Sequence, residues 1–284
     1  MTRAALAALC ILCGIPLAAA SEVRVESSYF VTSDGVRLHV LEVGLPVPGT
    51  PVIAFVPGWS MPAAIWRAQL AALGTHHQAA ALDPRGQGQS QIAADGYTAG
   101  RRADDIAEFV VRYPKVVLVG WSLGALETLE YTRLHGEAKL AGLVLVDSSV
   151  GEPPVPPASD FRGALKRNRV QTIDQFVRAM FRTTRPDTEL AALSDGALQL
   201  PLEASLALLA YPYPREHWRD AAHAVRVPLL YVVTPQFAEQ AQNLKRNRPQ
   251  TEIAVFEHAG HALFVDEPAR FNDLLENFVR RLPR

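Results

Sequence analysis

The chain has 284 residues, of which 49% are hydrophobic and 20% charged, with a formal net charge of −1. This is ordinary globular composition, and the length suits one large α/β domain or a domain carrying an inserted subdomain. Near-zero charge, and no Lys/Arg cluster with interleaved aromatics, exclude a nucleic-acid or anionic-membrane surface as the basis of function.

At the N-terminus Arg3 precedes an apolar run from Ala4 to Leu17, and Ala18-Ala19-Ala20 leads into Ser21-Glu22. That is the layout of an export signal, residues 1–20, cleaved after Ala20; the apolar stretch is short for a membrane span, and a retained anchor is the alternative. Cys10 and Cys13 both fall inside it, so the mature chain is expected to carry no disulfide. The expected destination is the periplasm or the medium, with no stable membrane insertion after cleavage.

Glu22 to Thr32 and Val36 to Val43 read as strands around a Ser33-Asp34-Gly35 turn. Val52 to Val56 is a short apolar strand that stops at Pro57-Gly58, and Pro62 opens a helix to Leu73. Gln78 to Leu82 is a strand running into Asp83-Pro84-Arg85-Gly86-Gln87-Gly88-Gln89-Ser90, and residues 98 to 112 read as helix. Val116 to Val119 is a buried strand, Ala125 to Leu134 a helix, and Leu143 to Val146 another strand. The alternation stops at Gly151-Glu152-Pro153-Pro154, and no strand pattern returns before about Arg226. Thr172 to Phe181, Thr188 to Ala197 and Pro201 to Ala210 read as short amphipathic helices there, closed by Tyr211-Pro212-Tyr213-Pro214. Strands at Pro228 to Val233 and Glu252 to Phe256 and a helix at Pro268 to Arg281 complete the chain. The expected fold is α/β, a doubly wound, mostly parallel sheet. Its core spans 21–150 and 227–284, and a helical cap is inserted at 151–226.

Gly120-Trp121-Ser122-Leu123-Gly124 joins the buried strand to the helix behind it. Gly-x-Ser-x-Gly between a strand and a helix marks a turn so tight that its flanks must be nearly free of side chain. The turn holds a serine hydroxyl at the tip of the sheet, beside the first amides of the helix. Gly86-x-Gly88 lacks the third glycine of a nucleotide fingerprint, and His76-His77, His217 and His223 lack the partners of a zinc site. No metal or cofactor is expected.

With Pro57-Gly58-Trp59, Asp83-x-Arg85-Gly86-x-Gly88-x-Ser90, Gly120-x-Ser122-x-Gly124 and His258-Ala259-Gly260-His261 in order, the chain resembles the α/β-hydrolase fold superfamily. It resembles in particular the esterase-like branch with a helical cap. The resemblance implies Ser122 as nucleophile and His261, after the small Ala-Gly pair, as its base, with His258 the nearby competitor. Most members take the triad acid from the loop after the penultimate strand. Here that loop reads Thr234-Pro235-Gln236-Phe237-Ala238-Glu239, with no carboxylate at the expected place. A variant of the family takes it from the end of the strand after the nucleophile helix, which points to Asp147. Glu239, two residues late, is the alternative, and Asp147 as a mere loop cap is another. Asp266 and Glu267 read as helix N-terminal residues.

An oxyanion site needs two backbone N–H groups. Leu123 and Trp59 would supply them, and together with Met61 and Trp121 they would either line an apolar acyl pocket or simply pack in the core. The expected function is cleavage of a carboxylic ester, with a small, hydrophobic ester as partner. The alternative is a protein that binds a small molecule on this fold without turnover, for which the missing carboxylate after the penultimate strand is the argument.

Overall fold

Eight strands form one sheet, apolar throughout at its centre and partly polar at the edge strand Glu26–Val31. They are β1 (Glu26–Val31), β2 (Arg37–Val43), β3 (Val52–Val56), β4 (Ala79–Asp83), β5 (Val116–Trp121), β6 (Leu140–Val146), β7 (Leu229–Val233) and β8 (Glu252–Val255). The structure, a computed structural model, describes residues 24–210 and 212–283. The expected export signal and Tyr211 lie outside them.

The strand order is β1-β2-β4-β3-β5-β6-β7-β8. The pairs β1–β2 and β2–β4 are antiparallel, and every pair from β4 to β8 is parallel. Strands buried on both faces need apolar side chains throughout, and β3, β4, β5 and β7 are buried at every position. Alternation then divides them between two clusters. Ile53, Phe55, Val117, Val119 and Trp121 lie in one, and Val52, Ala54, Val116 and Leu118 in the other.

Core helices cover both faces: α1 (Arg67–Leu73, after a single 3-10 turn at Ala63–Trp66), α2 (Ala99–Val110) and α3 (Leu123–His135). The chain between β6 and β7 forms α4 (Phe161–Arg167), α5 (Arg169–Ala179), α6 (Asp187–Gln199), α7 (Leu202–Leu208) and α8 (Arg215–Ala224). It closes with α9 (Ala238–Asn247), α10 (Leu263–Asp266) and α11 (Pro268–Arg280). Helices α5 to α7 fall where the periodicity puts them, whereas α4 and α8 go beyond it. Helix α8 is rich in charge, but it buries Trp218, Ala221 and Ala222, three and four residues apart. That spacing is a helical signal too sparse to stand out among polar neighbours.

The insertion is fastened to the core by specific contacts. The indole N–H of Trp59 donates to the carbonyl of Ser205 at 3.0 Å, and its ring meets Phe161 and Phe176 edge-on at 5.3 and 5.4 Å. His217 pairs with the buried carboxylate of Glu130 on α3 (2.7 Å), and within the insertion His223 pairs with the buried carboxylate of Glu152 (2.5 Å).

Candidate active site

Parallel strands end on the same side, so the order β3-β5-β6-β7 gathers four carboxyl ends in a row. They carry Gly58-Trp59, Ser122, Asp147 and Thr234. The chain reverses its direction of sheet growth between β3 and β5, and the crevice outside such a switch point is where open α/β sheets place their ligands.

Ser122 caps α3 with φ 56° and ψ −120°, a conformation that a β-carbon disfavours. Its surroundings hold it there. The Ser122 N–H donates to the Val146 carbonyl at 2.9 Å. A β-carbon on Gly120 would lie 2.5 Å from the Gly124 carbonyl oxygen, and one on Gly124 would lie 2.6 Å from the carbonyl oxygens of Val56 and Pro57. Only glycine at both places lets β5, α3 and the loop after β3 approach this closely.

His261 Nε2 lies 2.9 Å from Ser122 Oγ, and its Nδ1 lies 2.8 Å from Asp147 Oδ2. A carboxylate only accepts, so Nδ1 carries the proton and Nε2 is left to accept from the serine hydroxyl. Asp147 is 1% exposed and has φ 43°, a left-handed conformation that Asp tolerates better than most residues. Its Oδ1 accepts from the Thr234 N–H at 2.7 Å and the Thr234 hydroxyl at 2.8 Å. The loop after β7 thus lacks a carboxylate of its own and holds the one from β6. Glu239 is exposed in the first turn of α9, and His258 is exposed one turn of loop before His261.

The Tyr231 hydroxyl donates to the Ser148 carbonyl at 2.5 Å, tying down the segment after Asp147. Burial, with Asp147 nearby, pushes that phenol well above its ordinary range and keeps it a neutral donor.

Leu123 is the first residue of α3, and Trp59 follows the Gly58 that packs against Ser122. Among the described residues neither backbone N–H donates to a backbone carbonyl of a turn, loop or cap. A cavity of about 460 Å³ reaches Ser122, Asp147 and His261 and is walled by Leu126, Trp218 and Phe237.

Met61 and Trp121, expected along an acyl pocket, do not line that cavity. Both are buried in the core, at 0% and 1% exposure. Alternation along β5 turns Trp121 to the side of Val117 and Val119, where its indole N–H donates to the His261 carbonyl at 2.9 Å. It supports the histidine from behind.

Glu267 is the N-cap of α11 as read, and Asp266, just before it at the end of α10, turns its carboxylate away from that helix. That carboxylate accepts from the N–H groups of Gly260 (2.7 Å), Arg182 (2.9 Å) and Thr183 (3.0 Å) and from the Thr183 hydroxyl (2.6 Å). It therefore ties the histidine loop to the connection between α5 and α6. Burial opposes its charge, but these hydrogen bonds hold its carboxyl below the ordinary value. Gly260 is only six residues away, but nothing in local sequence signals the tie to Arg182 and Thr183, which lie 84 and 83 residues away in the chain.

A second Ser–His–Asp chain exists at the sheet edge. His39 Nε2 lies 2.6 Å from Ser27 Oγ, and His39 Nδ1 lies 2.7 Å from Asp83 Oδ2. Ser27 sits inside the edge strand β1 and not at a strand–helix turn. Asp83 is committed to the backbone, accepting from the N–H groups of Ala63 and Gln89. Arg85 is likewise structural, fully buried against Asp105 and Asp34. Among the described residues no group of three or more His, Cys, Asp or Glu side chains is placed to hold a metal ion.

A sequence model described as the alpha/beta hydrolase family matches residues 53–274. The chain is 26% identical over 275 residues to the AB hydrolase superfamily protein YisY of Bacillus subtilis, covering 88% of this chain and 98% of that one. It is 26% identical over 259 residues to a pimeloyl-(acyl-carrier protein) methyl ester esterase of Aeromonas hydrophila, covering 81% and 95%. Among solved structures, an esterase from Exiguobacterium antarcticum superposes with a TM-score of 0.78 at 21% identity, covering 89% of this chain and 99% of that one. At that identity the likeness is one of fold.

Proposed function

Since the chain belongs to the alpha/beta hydrolase family, we propose that it is a serine hydrolase cleaving a small, apolar carboxylic ester through Ser122, His261 and Asp147. The observation that carries this reading is the continuous hydrogen-bonded line Ser122–His261–Asp147, with Ser122 at the first turn of α3. A serine hydroxyl is a poor nucleophile unless a base takes its proton, and a base works only when held in the right tautomer.

Ser122 Oγ attacks the ester carbonyl as His261 Nε2 takes its proton. The Trp59 and Leu123 N–H groups hold the charge on the carbonyl oxygen. His261 then protonates the departing alcohol, leaving an acyl-Ser122 that water cleaves by the same steps in reverse. Asp147 keeps His261 oriented and stabilises the imidazolium. The methyl ester esterase relatives support an ester as the bond broken.

The experiment is turnover of p-nitrophenyl esters of graded chain length, with a lactone, a thioester and an amide beside them. Ser122→Ala should abolish it. Binding with no turnover on any of these would favour a non-catalytic carrier instead. Export belongs to the same reading, supported by the composition of residues 1–20. N-terminal sequencing of the mature protein should then begin at Ser21.

A further inference from the structure

We propose that Gln87 is a positioning residue for the oxyanion site, setting the direction of the Trp59 N–H and linking it to the helix that begins at Leu123. The inference rests on the serine-hydrolase reading above.

Gln87 stands in the turn after β4 and is 2% exposed. Its Nε2 donates to the carbonyls of Gly58 at 3.0 Å and Met61 at 2.7 Å. The Gly58 carbonyl belongs to the same peptide unit as the Trp59 N–H. In a trans peptide the two point in opposite directions, so a carbonyl held on one side aims the N–H to the other. Gly58 itself abuts the nucleophile, since a β-carbon there would lie 3.0 Å from Ser122 Cβ.

The other end of the carboxamide is also held. Arg102 Nη1 and Nη2 both lie 3.3 Å from Gln87 Oε1. A guanidinium only donates, so the carboxamide oxygen must face Arg102 and its NH₂ must face the two carbonyls. Arg102 Nη2 in turn donates to Glu127 Oε2 at 3.1 Å, and Glu127 lies on α3, five residues beyond Ser122. Arg102 and Glu127 are each 1% exposed.

Three buried polar side chains, from the turn after β4, from α2 and from α3, therefore form a strut between the two amide donors. Burying a charged pair seldom adds stability over apolar packing, and its best-attested use is to specify geometry. An oxyanion donor must sit about 3 Å from the place where charge develops. A loop free to rotate the Gly58–Trp59 peptide would lose that placement while still binding the uncharged ester.

The test is steady-state kinetics on an ester whose turnover Ser122→Ala abolishes. Gln87→Met keeps the volume and removes both amide donors. Its kcat should fall by about 10²-fold with KM within twofold, because the lost contact matters only once charge develops. The second-order rate of inactivation by a phosphonate ester should fall in parallel. If Gln87→Met does not fold, Gln87→Glu decides. Its ionised carboxylate cannot donate to the carbonyls but its protonated form can, so its kcat relative to wild type should recover as pH is lowered. An unchanged kcat in folded Gln87→Met, or a Gln87→Glu ratio independent of pH, would overturn the positioning role and leave the triad reading intact. Turnover that survives Ser122→Ala would remove both.

Discussion

Thr234 holds Asp147 by two hydrogen bonds to one carboxylate oxygen, which leaves the other for His261. Residues at the ends of neighbouring strands thus act together to present one carboxylate oxygen to His261. A carboxylate anchored this way cannot rotate without losing both bonds, and so it fixes the imidazole plane.

Asp147→Asn should lower kcat by about 10³- to 10⁴-fold, because an amide can present its NH₂ to Nδ1 and select the wrong tautomer. Thr234→Val keeps the N–H and loses only the hydroxyl donor, so a fall of about 3- to 10-fold is expected. Glu239→Gln should leave kcat within twofold. Kinetics on the three purified variants check this, and a large loss in Glu239→Gln alone would move the acid to α9.

Gly124→Ala should damage both stability and turnover. The new methyl would meet two backbone carbonyl oxygens at 2.6 Å, and backbone yields less readily than a side chain. Overpacking of this kind costs about 1–3 kcal/mol, a fall in Tm of about 3–10 °C. A Tm within 1 °C of wild type, by calorimetry, would contradict the close approach.

Ser122→Ala should be inactive although Ser27, His39 and Asp83 remain hydrogen-bonded in the same order. Ser27→Ala should leave kcat unchanged. What separates the two chains is the turn: Ser122 sits beside the N–H of Leu123 at a helix start, while Ser27 sits inside a strand. Labelling by a fluorophosphonate probe, read by mass spectrometry, should find Ser122 and not Ser27.

Asp266 should make the contact between the histidine loop and the α5–α6 connection sensitive to acid. Its carboxyl is held below its ordinary value of 3.8 in the folded protein. It therefore adds stability that is fully present above pH 4 and is lost as pH falls through the lower folded value. Asp266→Asn should weaken the tether between the histidine loop and the cap at neutral pH. Its Tm should fall less steeply than that of wild type when pH is lowered from 5 to 3.

Glu127 should behave in the opposite sense. Burial pushes its carboxyl up to about 7, against the pull of Arg102. The folded state then binds this proton more tightly than the unfolded chain, whose ordinary value is 4.5. Its contribution to stability rises as pH falls through 7 and is complete below about 4.5. The Tm of wild type relative to Glu127→Gln should thus increase from pH 8 to pH 5. A difference that grows toward high pH would mean that the ion pair with Arg102 outweighs burial.

Much of this was legible in sequence because the signals are local. Buried parallel strands require near-continuous apolar runs, and Val52–Val56 and Val116–Val119 are such runs. The turn at Ser122 requires glycines two residues to either side, and both are present. The doubly wound order follows from strands alternating with helices. The cap showed as helices, but their contacts with the core join residues 60 to 150 positions apart, such as Trp59 with Ser205 and His217 with Glu130.

The sequence by itself determined the sheet, the tight turn at Ser122 and the histidine loop, because each depends on neighbours within a few residues. Tertiary structure alone decided which carboxylate faces His261, that Met61 and Trp121 belong to the core, and that Asp266 and Gln87 hydrogen-bond to the loops at His261 and Gly58. The physical reason is range. Periodicity and turn chemistry act over one or two turns of chain, whereas a hydrogen bond between strand ends depends on register and strand order across the whole sheet. Asp147 and Thr234 are 87 residues apart in the chain and 2.7 Å apart in space.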